Sequence, residues 1–161
     1  MEKPMVNFLT LSAMGLDLLE YDRVIGELYE GALDPKQMAQ TLRHLRELFQ
    51  ANYVTLILRV PDQPDLGLMI VAGNIKGEGE VSYLAYPQTT NPFANQPMDR
   101  VFTVDDVMSE LEWEHSAYFK LFCSRQGVFH VMGADISTPN GGKFRFRITR
   151  PKSAPKFSAK E

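Results

Sequence analysis

The most reactive side chain in this sequence is its single cysteine, Cys123. With His115 or His130 as a base, the thiol could act as a nucleophile. The surrounding residues favour another role, because Phe119 and Phe122 lie close to it and a buried thiol behaves as a small apolar group with a raised pKa. The sequence therefore predicts that Cys123 packs in a core, and it predicts no catalytic residue.

Metal or cofactor chemistry is also poorly supported. Glu112, Glu114 and His115 carry ligand atoms, but neighbouring helical positions point in different directions and no second pair at helical spacing completes a site. His130 could be an axial haem ligand, yet it alternates with apolar residues along a strand, which favours a neutral histidine in a core. The flanks of Cys123 do not match flavin-binding photosensory domains. We expect no metal and no cofactor.

Aromatic residues are dense in the middle of the chain. Aromatic rings with a few polar tips line small-molecule pockets, and they also fill the space between irregular helices and a sheet. The sequence leaves both interpretations open. If a pocket is present, we expect its lining to include Tyr83, Tyr86, Phe93, Trp113, Phe119, Phe122, His130 and Met132.

Length and composition limit the class of protein. The 161 residues suffice for one domain, and 44% apolar with 23% charged residues is close to the globular average, which excludes fibrous and wholly disordered chains. No apolar run approaches the roughly 20 residues that span a bilayer, and the first residues do not resemble a signal peptide. A single cysteine fits a reducing compartment. We expect a cytoplasmic protein without a membrane partner.

Charge is distributed unevenly along the chain. The net charge of −3 argues against nucleic-acid binding by the chain as a whole, but residues 143–161 carry seven basic residues and one acid. The favoured interpretation is a solvated strand face, with Arg145, Arg147 and Thr149 pointing to water, followed by a soluble tail. The alternative is a segment that lies close to DNA or to an acidic partner.

The elements that must position these residues follow from periodicity. Apolar spacing predicts a helix over residues 17–33, and Asp34 followed by Pro35 predicts the capped start of a second helix ending near Gln50. Residues 53–60 read as a covered strand, the stretch PDQPDLG as a turn and LGLMIVA as its hairpin partner. A glycine-rich loop and a helical turn near residues 81–86 follow.

The second half of the sequence repeats this change of period. Thr103 with acids after it predicts a helix cap, residues 112–125 predict an aromatic helix, and residues 128–136 and 143–150 predict a hairpin around TPNGG. Residues 1–15 are a tail or a short helix. The sequence therefore predicts an α+β domain over residues 16–150, with an antiparallel sheet and flanking helices in the order seen in PAS and GAF sensory modules.

The last residues contain a helix-start signal. Ser158 and Glu161 form an S-x-x-E capping box, and Phe157 occupies the preceding hydrophobic-staple position. We expect residues 151–161 to begin a linker helix to a further domain, with a disordered tail as the alternative. Rigid helices of this kind carry signals from an input domain to an output domain.

Several segments together resemble a known family. DRVIGELYEGALDPKQM, YLAYPQTTNPF, VFTVDD and FRFRITRPKSAPKFSAKE resemble, in order and spacing, the N-terminal region of bacterial LuxR-type helix-turn-helix transcriptional regulators, over most of residues 20–161. The resemblance implies a sensory or dimerising role and a C-terminal DNA-binding module that this chain lacks. Well-known members bind acyl-homoserine lactones through a spaced tryptophan, tyrosine and aspartate. Trp113 and Tyr53 do not head such a pattern, so that ligand is not implied.

The leading hypothesis is therefore a non-catalytic domain for ligand sensing and dimerisation in a LuxR-type transcriptional regulator. Its expected partners are an unidentified small molecule, a second copy of the chain, and DNA only through the missing module. The predicted dimer interface consists of Leu18, Val24, Ile25 and Leu28. The alternative is a stand-alone protein–protein interaction module that dimerises, and an enzyme ranks third.

Overall fold

A computed structural model describes residues 17–60, 63–73, 91–159 and 161. Its first two elements are helices α1 (Leu18–Gly31) and α2 (Pro35–Leu48). Asp17 and Asp34 are their N-caps, and each side chain accepts a hydrogen bond from a first-turn amide at 2.9 Å. Pro35 occupies the first turn of α2, where its missing N–H costs nothing. The predicted start of α2 is confirmed.

The two helices pack tightly against each other. A Cβ atom at Gly31 would lie 2.9 Å from the Cα atom of Met38, so only glycine permits this approach. His44 on α2 lies between two carboxylates of α1, 2.5 Å from Glu20 and 2.8 Å from Glu27. These contacts fix the helices as one hairpin layer.

Five strands form an antiparallel sheet in the order β2-β1-β5-β4-β3. Together with the helices, they confirm the predicted α+β class with an antiparallel sheet. Both predicted hairpins are present, and Gly141 turns the second one with a φ of 79°. The strands are β1 (Tyr53–Val60), β2 (Gln63–Gly73), β3 (Arg100–Thr103), β4 (His130–Ser137) and β5 (Lys143–Arg150).

Two strand predictions need correction. Residues 63–67, predicted as part of a turn, belong to β2, whose pairing with β1 shifts register between Arg59 and Val60. Strand β3 was not predicted at all, because four residues are too short to show a period. It pairs with the outer edge of β4. Its last residue, Thr103, is the predicted N-cap of the helix that follows, and the Thr103 amide donates to the Asp106 carboxylate at 2.8 Å.

The predicted helix over residues 112–125 is also wrong, since the segment breaks at Ser116. The Ser116 hydroxyl donates to the carbonyl of Trp113 at 2.8 Å and accepts from the amide of Phe119 at 3.1 Å, so it ends one helix and starts the next turn. The observed elements are α3 (Val104–Val107), α4 (Glu110–His115), a π-helical turn (Phe119–Cys123) and a 3₁₀ turn (Ser124–Gln126).

The sheet separates two apolar cores. Helices α1 and α2 cover the helix-side face, and this core centres on the fully buried Leu42, Val54 and Ile148. Residues 91–99 and 104–129, which we call the middle segment, cover the opposite face, which we call the inner face. This core centres on Trp113, whose indole N–H donates to the carbonyl of Phe129 at 2.9 Å. Alternate residues of the central strands therefore face one core or the other.

The C-terminal segment packs on the helix-side core instead of leaving the domain at residue 150. Phe157 contacts that core, and the buried Arg150 guanidinium lies 4.3 Å from the centre of its ring. Arg150 also donates to the carbonyl of Phe49 at 2.9 Å and pairs with the Glu161 carboxylate. The amide of Ser158 donates to Glu161 at 2.9 Å, which is one of the two capping-box bonds expected from the sequence.

The predicted dimer residues of α1 differ in environment. Val24 packs against the helix-side core, while Leu18 is 36% exposed, and Ile25 and Leu28 are half-buried. Among the described residues, none of the helices is both long and apolar enough to cross a bilayer.

Candidate ligand-binding site

A cavity of about 280 Å³ lies between the inner face of the sheet and the middle segment. Its lining is mostly apolar and aromatic, with polar and charged side chains on the sheet. The lining residues are Tyr53, Thr55, Ile57, Met69, Val71, Asn91, Phe93, Tyr118, Phe122, Cys123, Gln126, Val128, Val131, Arg145, Arg147 and Thr149. This combination of apolar walls and a few convergent polar groups is typical of small-molecule sites.

Strand register builds the floor of the cavity. Alternate residues of β1 face inward, and the antiparallel pairing places Thr149 beside Tyr53, Arg147 beside Thr55 and Arg145 beside Ile57. Thr149 donates from its hydroxyl to the Asn52 side-chain oxygen at 2.6 Å. The polar side chains of β5 are thus fixed at the centre of the sheet.

The middle segment forms the opposite wall. Phe93 is 3% exposed, and its amide donates to the Asn91 side chain at 2.9 Å, which holds the irregular segment against the sheet. The rings of Tyr118 and Phe122 contact each other across the start of the π-helical turn, with centres 5.5 Å apart and planes tilted by 45°. Cys123 in this wall is buried in a core cluster, which confirms its predicted packing, and this burial raises the pKa of its thiol to about 12.

The two arginines of the floor lie against the carboxylate of Asp135 on the neighbouring strand β4. The Asp135 carboxylate is 2.6 Å from Nη2 of Arg147 and 3.3 Å from Nε of Arg145, and both arginine side chains are only 12% exposed. Burial lowers the pKa of Arg147, although the adjacent Asp135 carboxylate opposes this shift. The expected solvated face of β5 is therefore wrong, because the middle segment covers it.

The Arg147 side chain packs flat against the neighbouring strand. Its side chain lies across Gly133 on the neighbouring strand, where an added Cβ would be 2.6 Å from the arginine Cδ. The guanidinium carbon is 4.8 Å from the centre of the Phe102 ring, and Nη1 donates to the carbonyl of Ala134 at 3.1 Å. Glycine at position 133 gives the arginine room to lie flat on the sheet.

The residues predicted to line a pocket fall into separate places. Phe93 and Phe122 line the cavity, whereas Trp113 and Phe119 pack behind its wall with ring centres 5.2 Å apart. His130 and Met132 lie on the helix-side face, as the pairing of Met132 with Ile148 requires. Tyr83 and Tyr86 lie outside the described residues.

The floor residues were missed by sequence reasoning. The strict alternation of β5 shows that Arg145, Arg147 and Thr149 share a face. Strand β1 has apolar residues on both faces, so its sequence does not tell which face lines a cavity. The signal that could have found the floor is the pairing of these two strands, which places the arginines beside Thr55 and Ile57 in the centre of the sheet.

The structure does not bring the candidate nucleophile and its candidate bases together. The sheet separates Cys123 on its inner face from His130 on its helix-side face, and His115 is exposed on α4, where its Nδ1 lies 2.8 Å from the carbonyl of Leu111. Glu112 is engaged in capping, since its carboxylate accepts from the amide of Ser109 at 2.8 Å. Within the described ranges, no three His, Cys, Asp or Glu side chains group as a metal site.

The fold and the cavity define an α+β domain with a ligand-sized space on one face of its sheet. Among solved structures it is similar to the LBD domain of VqsR from Pseudomonas aeruginosa, with a TM-score of 0.54 and 15% identity. The match covers 88% of this chain and 84% of that chain, and at this identity it shows a common fold. No family model and no curated protein matches the sequence.

Proposed function

We propose that this chain is a non-catalytic sensory domain with a PAS- or GAF-like fold, and that it belongs to a LuxR-type transcriptional regulator. The observation that carries the proposal is the cavity of about 280 Å³ on the inner face of the sheet. It is nearly twice the size of the engineered cavity of about 150 Å³ that takes up benzene, so it accommodates a small organic molecule.

Two comparisons support this role. The VqsR domain is named as an LBD, a ligand-binding domain, and its fold extends over most of both chains. The sequence segments that resemble LuxR-type regulators extend from the first helix to the C-terminal segment. In this proposal the signal molecule fills the cavity, and a DNA-binding module that follows residue 161 in the complete regulator gives the output in the bacterial cytoplasm.

The C-terminal segment provides the connection. The Ser158 amide is already bonded to the Glu161 carboxylate, as at the first turn of a helix, and Arg150 holds the same carboxylate against the domain. A helix that continues from this turn would begin at a position fixed by β5. Ligand-dependent changes in the sheet would then reach the output module through a rigid element.

A cavity-filling substitution tests ligand sensing. Val71→Phe places a ring in the cavity, whereas Val101→Phe makes the same change on β3 at a site that is 64% exposed. Each protein is incubated with a small-molecule extract of bacterial cells, desalted and examined by native mass spectrometry. We expect wild type and V101F to retain a bound mass and V71F to lose it.

Ligand sensing is contradicted if each of the three proteins shows only the mass of its free chain, without a bound molecule. Far-UV circular dichroism and thermal unfolding show whether V71F keeps the wild-type fold. If V71F does not fold, Thr55→Leu offers a smaller filling of the same floor, and the comparison with V101F is unchanged.

A stand-alone dimerisation module is the second candidate, and exposed apolar residues on α1 favour it. Leu18, Tyr21 and Tyr29 are 36%, 42% and 77% exposed, and they follow one side of the helix together with the half-buried Ile25. Tyr29→Glu should convert a dimer to a monomer in light scattering, while Leu111→Glu, at another exposed site, should not. A dimer that persists in Tyr29→Glu and in Ile25→Glu would place the interface elsewhere.

A further inference from the structure

The charges of the two cavity arginines and of the Asp135 carboxylate behind them do not sum to zero. Arg145 and Arg147 contribute two positive charges, and Asp135, which is 3% exposed, contributes one negative charge. Among the residues that the structure describes, Asp135 is the acidic residue that contacts these two arginines. One positive charge is therefore left over in a region largely closed to water, where an uncompensated charge is costly.

The ion pairs with Asp135 and the hydrogen bonds to backbone carbonyls leave donors available on both guanidinium groups. Arg145 uses Nε toward Asp135 and Nη2 toward the carbonyl of Ala94 at 3.0 Å. Nη2 of Arg147 forms the ion pair with Asp135 without hydrogen-bond geometry, and Nη1 donates to two backbone carbonyls. The remaining nitrogens, Nη1 of Arg145 and Nε of Arg147, make none of the hydrogen bonds found in the described part of the chain. Planar N–H donors of this kind match the oxygens of a carboxylate.

The rest of the cavity has a different chemistry. Met69, Val71 and Phe122 present apolar surface, and the polar groups between them and the arginines are uncharged. A molecule that fills about 280 Å³ would therefore meet charge at one part of the floor, and mainly apolar surface with a few uncharged polar groups elsewhere. This division is suited to an amphipathic compound with one charged group.

From these observations we infer that the cavity selects a small organic monocarboxylic acid with an aromatic or medium-length aliphatic body. Its carboxylate pairs with Arg145 and Arg147 and offsets the single excess charge, and its body occupies the apolar part. This inference rests on the proposed ligand-sensing function and names the ligand class. A monoanion balances the site, whereas a phosphate dianion would reverse the imbalance and a neutral molecule would leave it.

Isothermal titration calorimetry with matched probes tests the inference. The probes are 3-phenylpropanoate and octanoate, each compared with its own primary amide, which has nearly the same shape without the charge. Wild-type protein should bind at least one acid at least tenfold more tightly than its amide, because hydrogen bonds between two charged groups are the stronger ones. The inference would be overturned if each acid bound with the same affinity as its amide, or if neither acid gave heat at millimolar concentration.

Substitutions that change the charge of the site give an ordered prediction. Arg145→Gln removes the excess charge and should weaken binding of the acid roughly ten- to a hundredfold, while Asp135→Asn adds one and should strengthen it. The double variant R145Q/D135N restores one net positive charge and should bind the acid more tightly than R145Q. Amide binding should change little throughout. Lys143→Gln, on the same strand and face but outside the lining, is the matched control and should behave as wild type.

A purely structural role for these residues gives a different pattern, because D135N and R145Q would then both weaken binding of acid and amide alike. That pattern overturns the inference. If the amides bind and the acids do not, the inference fails but ligand sensing stands, since the cavity then takes a neutral compound. If the V71F comparison fails as well, the proposed function fails independently of the charge of the ligand. Circular dichroism of each variant checks that it folds.

Discussion

Replacing Trp113 with phenylalanine should destabilise the protein by about 2–4 kcal/mol. The indole is fully buried and its N–H donates to the carbonyl of Phe129 at 2.9 Å. Removing the donor leaves a buried acceptor unpaired, which costs about 1–3 kcal/mol. The smaller ring also leaves a void of roughly methyl size between Phe93 and Phe119, which adds about 1 kcal/mol.

Urea unfolding followed by far-UV circular dichroism measures this cost, since the variant contains no tryptophan for fluorescence. Trp113→Ala should cost somewhat more, about 3–5 kcal/mol, because the whole ring is lost. Leu111→Ala on the same helix is 68% exposed and should change the free energy of unfolding by less than about 0.5 kcal/mol. A W113F variant as stable as L111A would refute the assignment of Trp113 as the anchor of the inner core.

Other parts of the structure give three further predictions. The Cys123 thiol, whose pKa burial raises to about 12, should resist a thiol-specific disulfide reagent at mildly alkaline pH until urea unfolds the chain; rapid labelling of folded protein would contradict its burial. Leu42→Ala, in the helix-side core, should cost about 2–5 kcal/mol in urea unfolding, and a cost below about 1 kcal/mol would mean that the site is not packed as described. For Glu161, burial opposes ionisation, but hydrogen bonds from Arg150 and the Ser158 amide outweigh it and lower the pKa. The carboxylate therefore stabilises the folded state above its ordinary pKa of 4.5, and this contribution is lost as the pH falls through the lowered pKa. Glu161→Gln should destabilise the protein by about 1 kcal/mol or less at neutral pH, seen as a lower Tm than wild type. The difference in Tm should disappear in acid, and a difference that does not depend on pH would refute this prediction.

The elements that could be predicted from the sequence are those with local signals. The Asp34–Pro35 start of α2 contains its own cap, and the alternation in β5 persists over the whole strand. The broken middle segment was less accessible, since the aromatic spacing continues through Ser116 while the serine hydroxyl bonds in both directions. A helical period does not reveal such competing side-chain bonds.

The candidate site depended on information that is not local. Alternation divides β5 into two faces but does not tell which distant segment covers each one. Arginines at positions 145 and 147 favour a solvent-facing assignment by residue type alone. Burial becomes acceptable because Asp135, on the neighbouring strand, supplies a carboxylate, and Gly133 leaves space for Arg147. The core role of Cys123 was predictable, because its aromatic neighbours are adjacent in sequence.

Strand β5 contributes both to the cavity floor and to the attachment of the last residues. Arg147 faces the cavity, and Arg150, three positions later and roughly 10 Å along the strand, holds Phe157 and Glu161. If an occupant of the cavity changes how tightly Arg150 holds these residues, linkage requires that their attachment changes the affinity for the occupant by the same factor. Anything that draws the terminal segment away from Arg150 would then also change the affinity for the occupant of the cavity.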